Sequence, residues 1–182
     1  SDGTSTDTST LSINVTPVVD QSRILTGNAI NVYEKNLAEG TAPDSNALKQ
    51  TGTFKLDAPD GVSELLINGT TVIDSTGTIV ATGPLLIQGD ELRITNYNKA
   101  SGVVTYEFTL KGNKKHPDGL LSNTITNTAL LTLKDGSGNT TTANLYFNII
   151  DDIPSDTGST ITISSGNANQ GITQEMYNWK PG

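Results

Sequence analysis

The residues best suited to chemistry are carboxylates, and they cluster where an apolar segment ends. The stretch NIIDDIPSD (148–156) places Asp151, Asp152 and Asp156 around a proline. Clustered carboxylates supply the oxygen ligands that Ca²⁺ prefers, and such a site needs neither histidine nor cysteine. We therefore expect a calcium site here, the alternative being a solvated acidic linker.

Three more acidic residues are candidate ligands. Glu34 lies near the start of the domain, and Asp20 ends an earlier apolar segment. Asp135 opens the turn DGSGN, which resembles the first half of an EF-hand loop but has Thr140 in place of its glycine and Tyr146 in place of its bidentate glutamate. We interpret DGSGN mainly as a hairpin turn, with calcium ligation by Asp135 as a second role.

Catalytic parts are scarce. The chain has no cysteine and a single histidine, His116, which lies in the hydrophilic segment KGNKKHPDG and is predicted to be a solvated loop residue. A glycosidase could use Glu34 and Asp151 as its carboxylate pair, but an aromatic content of 5% leaves few side chains to stack on a sugar. The sequence favours a protein that is not an enzyme.

Net charge limits the partners. The formal charge is −8 and the sequence pI is about 4.4, so that phosphate backbones and anionic bilayers are repelled. No apolar run is long enough to span a membrane. We expect neither a nucleic-acid partner nor membrane insertion. We also expect the protein to be a monomer.

Short alternating segments must position the carboxylates. LSINVTPVV (11–19) and AINVYEKNL (29–37) alternate like half-buried strands, and Ile30 and Val32 share a side just before Glu34. In SELLINGTTVID, Asn68-Gly69 predicts a type I′ hairpin with Leu65 facing Val72.

Two further hairpins are predicted. One has its loop at 99–102, and the other turns at DGSGN. Their inward-facing residues should be Leu92, Ile94, Tyr106, Phe108, Leu110, Leu131, Leu133, Leu145, Phe147 and Ile149.

Many short strands without a credible helix indicate an all-β protein, an antiparallel immunoglobulin-like β-sandwich with Greek-key type connections. A closed barrel is the alternative. We divide the chain into a linker with the possible end strand of a preceding repeat (1–20), one repeat (21–156), and a tail or the start of a following domain (157–182).

The order of several motifs resembles a repeat of giant type I secreted bacterial adhesins, the RTX adhesins. These motifs are VYEKNLAEGT (32–41), TGTFKL (51–56), PDGVSELLINGTTV (59–72), TYEFTL (105–110) and KDGSGNTTTANLYFNIIDDIP (134–154). The resemblance rests on a glutamate soon after the first strand, a D-G-x-G-[DN] turn and a strand closing on D-D-x-P. It covers roughly residues 29–154.

The resemblance implies an immunoglobulin-like module at the bacterial cell surface, secreted through a type I channel, with calcium at its domain boundaries. It assigns calcium to Glu34, Asp151, Asp152 and Asp135. The expected function is a calcium-stiffened extender in cell adhesion and biofilm formation, whose partners are neighbouring domains of the same adhesin.

The alternative is that the module itself binds a peptide or carbohydrate of a host or surface. The long polar loops 36–50 and 111–128 favour this alternative, as do Tyr177 and Trp179 in the tail. Such aromatic side chains could stack on a sugar ring.

Overall fold

The computed structural model describes residue 3 and residues 9–14, 20–117 and 123–152. Its strands are β1 Arg23–Thr26, β2 Ile30–Tyr33, β3 Lys49–Asp57, β4 Val62–Ile67, β5 Thr70–Ile73, β6 Leu85–Ile87, β7 Asp90–Asn98, β8 Val103–Thr109, β9 Thr124–Asp135 and β10 Thr140–Ile150. A single-turn 3-10 helix, Glu34–Asn36, follows β2. Among these residues no helix is long and apolar enough to cross a bilayer.

The strands form two five-stranded sheets that pack face to face. One sheet has the order β1-β3-β8-β7-β6, and the other has the order β2-β10-β9-β4-β5. The alternation of apolar and polar residues gives each sheet one apolar face, which the opposite sheet covers. The prediction of an all-β sandwich is confirmed at this level.

Aromatic rings join the two sheets at the centre of the core. Phe108 of β8 stacks on Phe147 of β10, with ring centroids 4.1 Å apart and an interplanar angle of 8°. Tyr106 meets the same Phe147 edge-on at 6.1 Å. All ten of the predicted inward-facing side chains are buried. Period-2 alternation was sufficient to identify them because each strand has one face in the core.

The three predicted hairpins are present, with one error of register. Asn68 and Gly69 have φ values of 47° and 81°, as a type I′ turn requires. Leu65, however, pairs with Ile73 instead of Val72, because a bulge lies between Leu65 and Leu66. The extra residue allows Val72 and Ile73 both to be buried.

Two other expectations need correction. The sandwich is not purely antiparallel, since β2 pairs parallel to β10 with Ile150 opposite Tyr33. Residues 11–14 of the predicted strand 11–19 are not in a strand, and Leu11 and Ile13 are 83% and 76% exposed. Alternation alone does not make a strand, since a strand also needs a partner with which to pair. Residues 15–19 lie outside the described part.

The chain enters and leaves the sandwich at opposite ends. β1 begins beside the DGSGN turn, where the Ser22 hydroxyl donates to Asp135 (2.9 Å). β10 runs from that turn for 11 residues, or about 35 Å at about 3.3 Å per residue. We call the end with Ser22 and Asp135 the incoming end, and the end with Glu34 and Asp151 the outgoing end.

Gly52 in β3 provides a test of packing between the sheets. A Cβ at this position would lie 2.4 Å from Cζ of the buried Tyr106 and 2.9 Å from Cδ1 of Ile30. We expect Gly52→Ala to lower the free energy of unfolding by about 1–3 kcal/mol through overpacking. Urea denaturation measures the change.

Gly27→Ala is the matched control. Its Cβ would meet only the carbonyl oxygen of Thr53, at 3.8 Å. We expect a change within about 0.5 kcal/mol for this variant. Equal effects of the two substitutions would contradict the packing described for Gly52.

Candidate metal centre

The parallel pairing of β2 and β10 brings Glu34 and Asp151 together. Each residue directly follows the last pair of that ladder, Tyr33 and Ile150. Glu34 then begins the 3-10 helix, which closes with a bond from the Leu37 amide to the Glu34 carbonyl (2.9 Å). The side chain of Glu34 is 5% exposed. A buried carboxylate therefore lies beside the acidic end of β10.

His116 is the third member of this cluster, and its prediction as a solvated loop residue is wrong. Its side chain is only 5% exposed, and its Nε2 lies 3.3 Å from Oε2 of Glu34. One ligand atom from each of Glu34, His116 and Asp151 lies within 4.8 Å of the other two. Sequence reasoning missed His116 because the hydrophilic residues around it face solvent while its ring turns inward.

Backbone contacts hold the segment 111–117 in place over the outgoing end. The Lys114 amide donates to Oε1 of Glu34. Asn123 fixes the far side, since its Nδ2 donates to the Pro117 carbonyl (2.7 Å) and its own carbonyl accepts from the Asp151 amide (2.9 Å). Asn123 thus links Pro117, the residue after His116, to Asp151.

Within the part of the chain that the structure describes, neither ring nitrogen of His116 makes a hydrogen bond, although both are buried. The 3.3 Å approach of Nε2 to Glu34 is within ion-pair distance, but the ring is not oriented to donate along it. The cluster is therefore a set of converging ligand atoms and not a closed hydrogen-bond network.

Asp152 lies next to the cluster but has a different partner. Its Oδ2 accepts from the Thr41 amide (2.8 Å), and its Oδ1 accepts from the Thr41 hydroxyl (2.6 Å). Both oxygens thus fasten the loop that follows the 3-10 helix to the end of β10. The contacts give Asp152 a structural role at the outgoing end.

Asp135 lies at the incoming end, a full length of β10 away from Glu34 and Asp151. Its Oδ1 accepts from the amides of Ser137 (3.0 Å) and Asn139 (2.8 Å), and its Oδ2 accepts from the Ser22 hydroxyl and Asn139 Nδ2. These bonds organise the hairpin turn, the main interpretation of DGSGN. Asp135 cannot share one ion with the outgoing cluster.

The remaining predicted ligands are not in the cluster as described. Asp20 is exposed and precedes β1 at the incoming end. Asp156 lies outside the described residues.

A second buried polar group lies close to the candidate metal centre, and the sequence did not predict it. Asp90 is fully buried and its Oδ1 lies 2.7 Å from Nζ of Lys114. The Lys111 amide also donates to Oδ1 (3.0 Å), and Asn127 Nδ2 donates to Oδ2 (2.9 Å). No local motif marks this group, because Asp90, the segment 111–114 and Asn127 come from separate parts of the sequence.

Comparisons with known proteins do not assign the chain to a family. No protein-family model matches the sequence, and no curated protein matches it. Among solved structures, one of murine CRIg matches over 72% of this chain and 98% of that chain, with 14% identity and a TM-score of 0.35.

Removing the Asp90 carboxylate should destabilise the fold. We expect Asp90→Ala to lower the free energy of unfolding by about 3–5 kcal/mol, since it leaves the Lys114 ammonium and the Asn127 amide without their buried partner. Urea denaturation checks this expectation. Glu91→Ala, which removes the more exposed pair with Lys111, is the control and should cost less than about 1 kcal/mol.

Ionisation of Asp135 should make the free energy of unfolding depend on pH in the acidic range. Burial raises the pKa of its carboxyl, but the hydrogen bonds from Asn139, Ser22 and Ser137 outweigh burial and leave the folded pKa below 3.8. The stabilisation is therefore complete above the unfolded pKa and is lost as the pH falls through the folded value.

We expect Asp135→Asn to be less stable than the wild type near neutral pH, with the difference shrinking below about pH 4. Urea midpoints at both pH values measure this. Asp60→Asn, which affects one contact with the Ser137 hydroxyl, is the control. A difference for Asp135→Asn that does not change with pH would refute the role of the ionised carboxyl.

Proposed function

We propose that this protein is an extender module of a bacterial cell-surface adhesin, with a divalent cation stiffening the joint at its outgoing end. The observation that carries the proposal is that the first strand of the sandwich begins, and its last strand ends, at opposite ends of the two sheets. β1 begins beside Asp135, and β10 ends beside Glu34, so the chain crosses the length of the sandwich between them. Modules connected in this way follow one another end to end.

The charge at the outgoing end supports a cation there. Glu34 is buried, and Asp151 and Asp152 follow the last residue of β10 directly. Unneutralised carboxylates at a joint repel one another and favour bent or open arrangements. A divalent cation would remove that repulsion and restrict the angle to the next module. Ca²⁺ is the ion that the sequence predicts for carboxylates.

The finer classification is part of the same proposal. An immunoglobulin-like sandwich with Greek-key connections, type I secretion and a location at the cell surface all follow from the resemblance to RTX adhesins. Adhesion and biofilm formation would be properties of the parent protein, to which this module contributes length and stiffness. Its partners would be the neighbouring modules, with the chain itself monomeric.

A ligand-binding module is the second candidate. A groove of about 280 Å³ at the incoming end is lined by Lys55, Tyr97 and Lys99, among other residues. Tyr97 could supply a face for a sugar or peptide. Binding to a glycan or peptide array that is lost in Tyr97→Ala would favour this function over the extender.

Calcium should stabilise the module. At tenfold excess over its Kd, a ligand of the folded state adds about 1.4 kcal/mol, which corresponds to a rise in Tm of about 3–6 °C for a domain of this size. A thermal melt of the EDTA-treated protein with and without millimolar calcium measures the shift. Asp151→Ala should abolish it, and Asp135→Asn, at the other end, should not.

Stiffening needs a direct measurement as well. A tandem of two copies should become longer and less variable in small-angle scattering when the divalent cation is added. A maximum dimension that is the same with the cation and with EDTA would refute the joint, whatever the melts show.

A further inference from the structure

The buried imidazole of His116 requires a partner. Its side chain is only 5% exposed, and neither ring nitrogen has a hydrogen-bond partner among the described residues. Leaving buried polar atoms unpaired is costly, and most such atoms in folded proteins have a partner. A bound ligand or ion would supply the partner that the described residues do not give these two nitrogens.

The neighbours of the ring point to a cation as that species. Carboxylate oxygens of Glu34 and Asp151 converge on His116, with the three ligand atoms within 4.8 Å of one another. The ammonium of Lys114, whose amide contacts Glu34, lies 2.7 Å from Oδ1 of Asp90 and is engaged there. Two carboxylates and an imidazole thus share a small, largely buried space.

The distances suit a small ion. Ligand atoms bonded to tetrahedral zinc at about 2.0–2.1 Å lie about 3.3 Å from one another. Nε2 of His116 and Oε2 of Glu34 are already 3.3 Å apart. Asp151 is less buried than Glu34, and its ligand atom lies within 4.8 Å of the other two.

The imidazole argues against calcium as the preferred ion. Ca²⁺ takes about six to eight oxygen ligands, whereas zinc and similar transition cations readily combine nitrogen with carboxylate oxygen. We propose that Glu34, His116 and Asp151 form a binding site for a transition-metal cation of the zinc class. The proposal rests on the cation-bound joint of the proposed function and names its cation.

The experiment compares two probe ions on the whole 182-residue chain. After treatment with EDTA and dialysis, the protein is titrated separately with Zn²⁺ and with Ca²⁺ by calorimetry. We expect Zn²⁺ to bind with a stoichiometry of one and more tightly than Ca²⁺. Co²⁺ should give the visible absorption of a site with nitrogen and oxygen ligands.

Variants at each ligand test the assignment. His116→Gln should weaken Zn²⁺ binding by at least about tenfold, the smallest loss expected when a metal site is disturbed, and should change the Co²⁺ spectrum. Asp151→Asn, at a less buried position that is safer for folding, should also weaken it. Asp135→Asn, at the incoming end, is the control and should leave Zn²⁺ binding unchanged. Circular dichroism verifies that each variant is folded.

The outcomes separate this proposal from the extender function. No Zn²⁺ binding, or Zn²⁺ binding that His116→Gln and Asp151→Asn leave intact, would overturn the zinc-class site. Ca²⁺ binding that stiffens the tandem would then still support the extender. Zn²⁺ binding that requires His116 but does not stiffen the tandem would retain the metal site and refute the joint.

Discussion

The parallel pairing of β2 with β10 is the constraint on which the candidate site depends. It joins segments more than a hundred residues apart, since Ile30 pairs with Phe147 and Tyr33 with Ile150. Residues that follow two parallel neighbours must leave the sheet at the same edge. Glu34 and Asp151 therefore meet without any local sequence feature that connects them, and the 3-10 helix then keeps the glutamate buried.

The position of β10 also couples this edge to the core. β10 lies between β2 and β9, and its Phe147 contacts Phe108 and Tyr106 of the opposite sheet. A strand held on both sides and packed through an aromatic stack has little freedom to shift in register. The separation between Asp135 and Asp151 is accordingly set by the length of one well-packed strand.

Polar groups at the two ends are satisfied in different ways. At the incoming end, amides and hydroxyls of the chain itself surround the Asp135 carboxylate. At the outgoing end, Asp90 is bonded to Lys114 and Asn127, whereas His116 lies beside two carboxylates and has no hydrogen-bond partner among the residues that the structure describes. The buried acid Asp90 is thus neutralised by a lysine of the same chain, whereas the ligand atoms around His116 converge without bonding one another.

The sequence by itself determined three hairpins and most of the inward faces of their strands, because alternation and turn chemistry act between residues close along the chain. Asn68-Gly69, the loop 99–102 and DGSGN were identifiable for that reason, as were the buried side chains of β7 to β10. It also singled out Glu34 and Asp151 as candidate ligands. Only the tertiary structure decided which acids lie together. Asp135 lies at the far end of β10 from Asp151, Asp152 accepts hydrogen bonds from Thr41, and the His116 ring is buried beside Glu34. Those placements depend on the pairing of distant strands and on the burial of individual side chains in an otherwise polar segment. Neither the pairing nor the burial can be read from local composition.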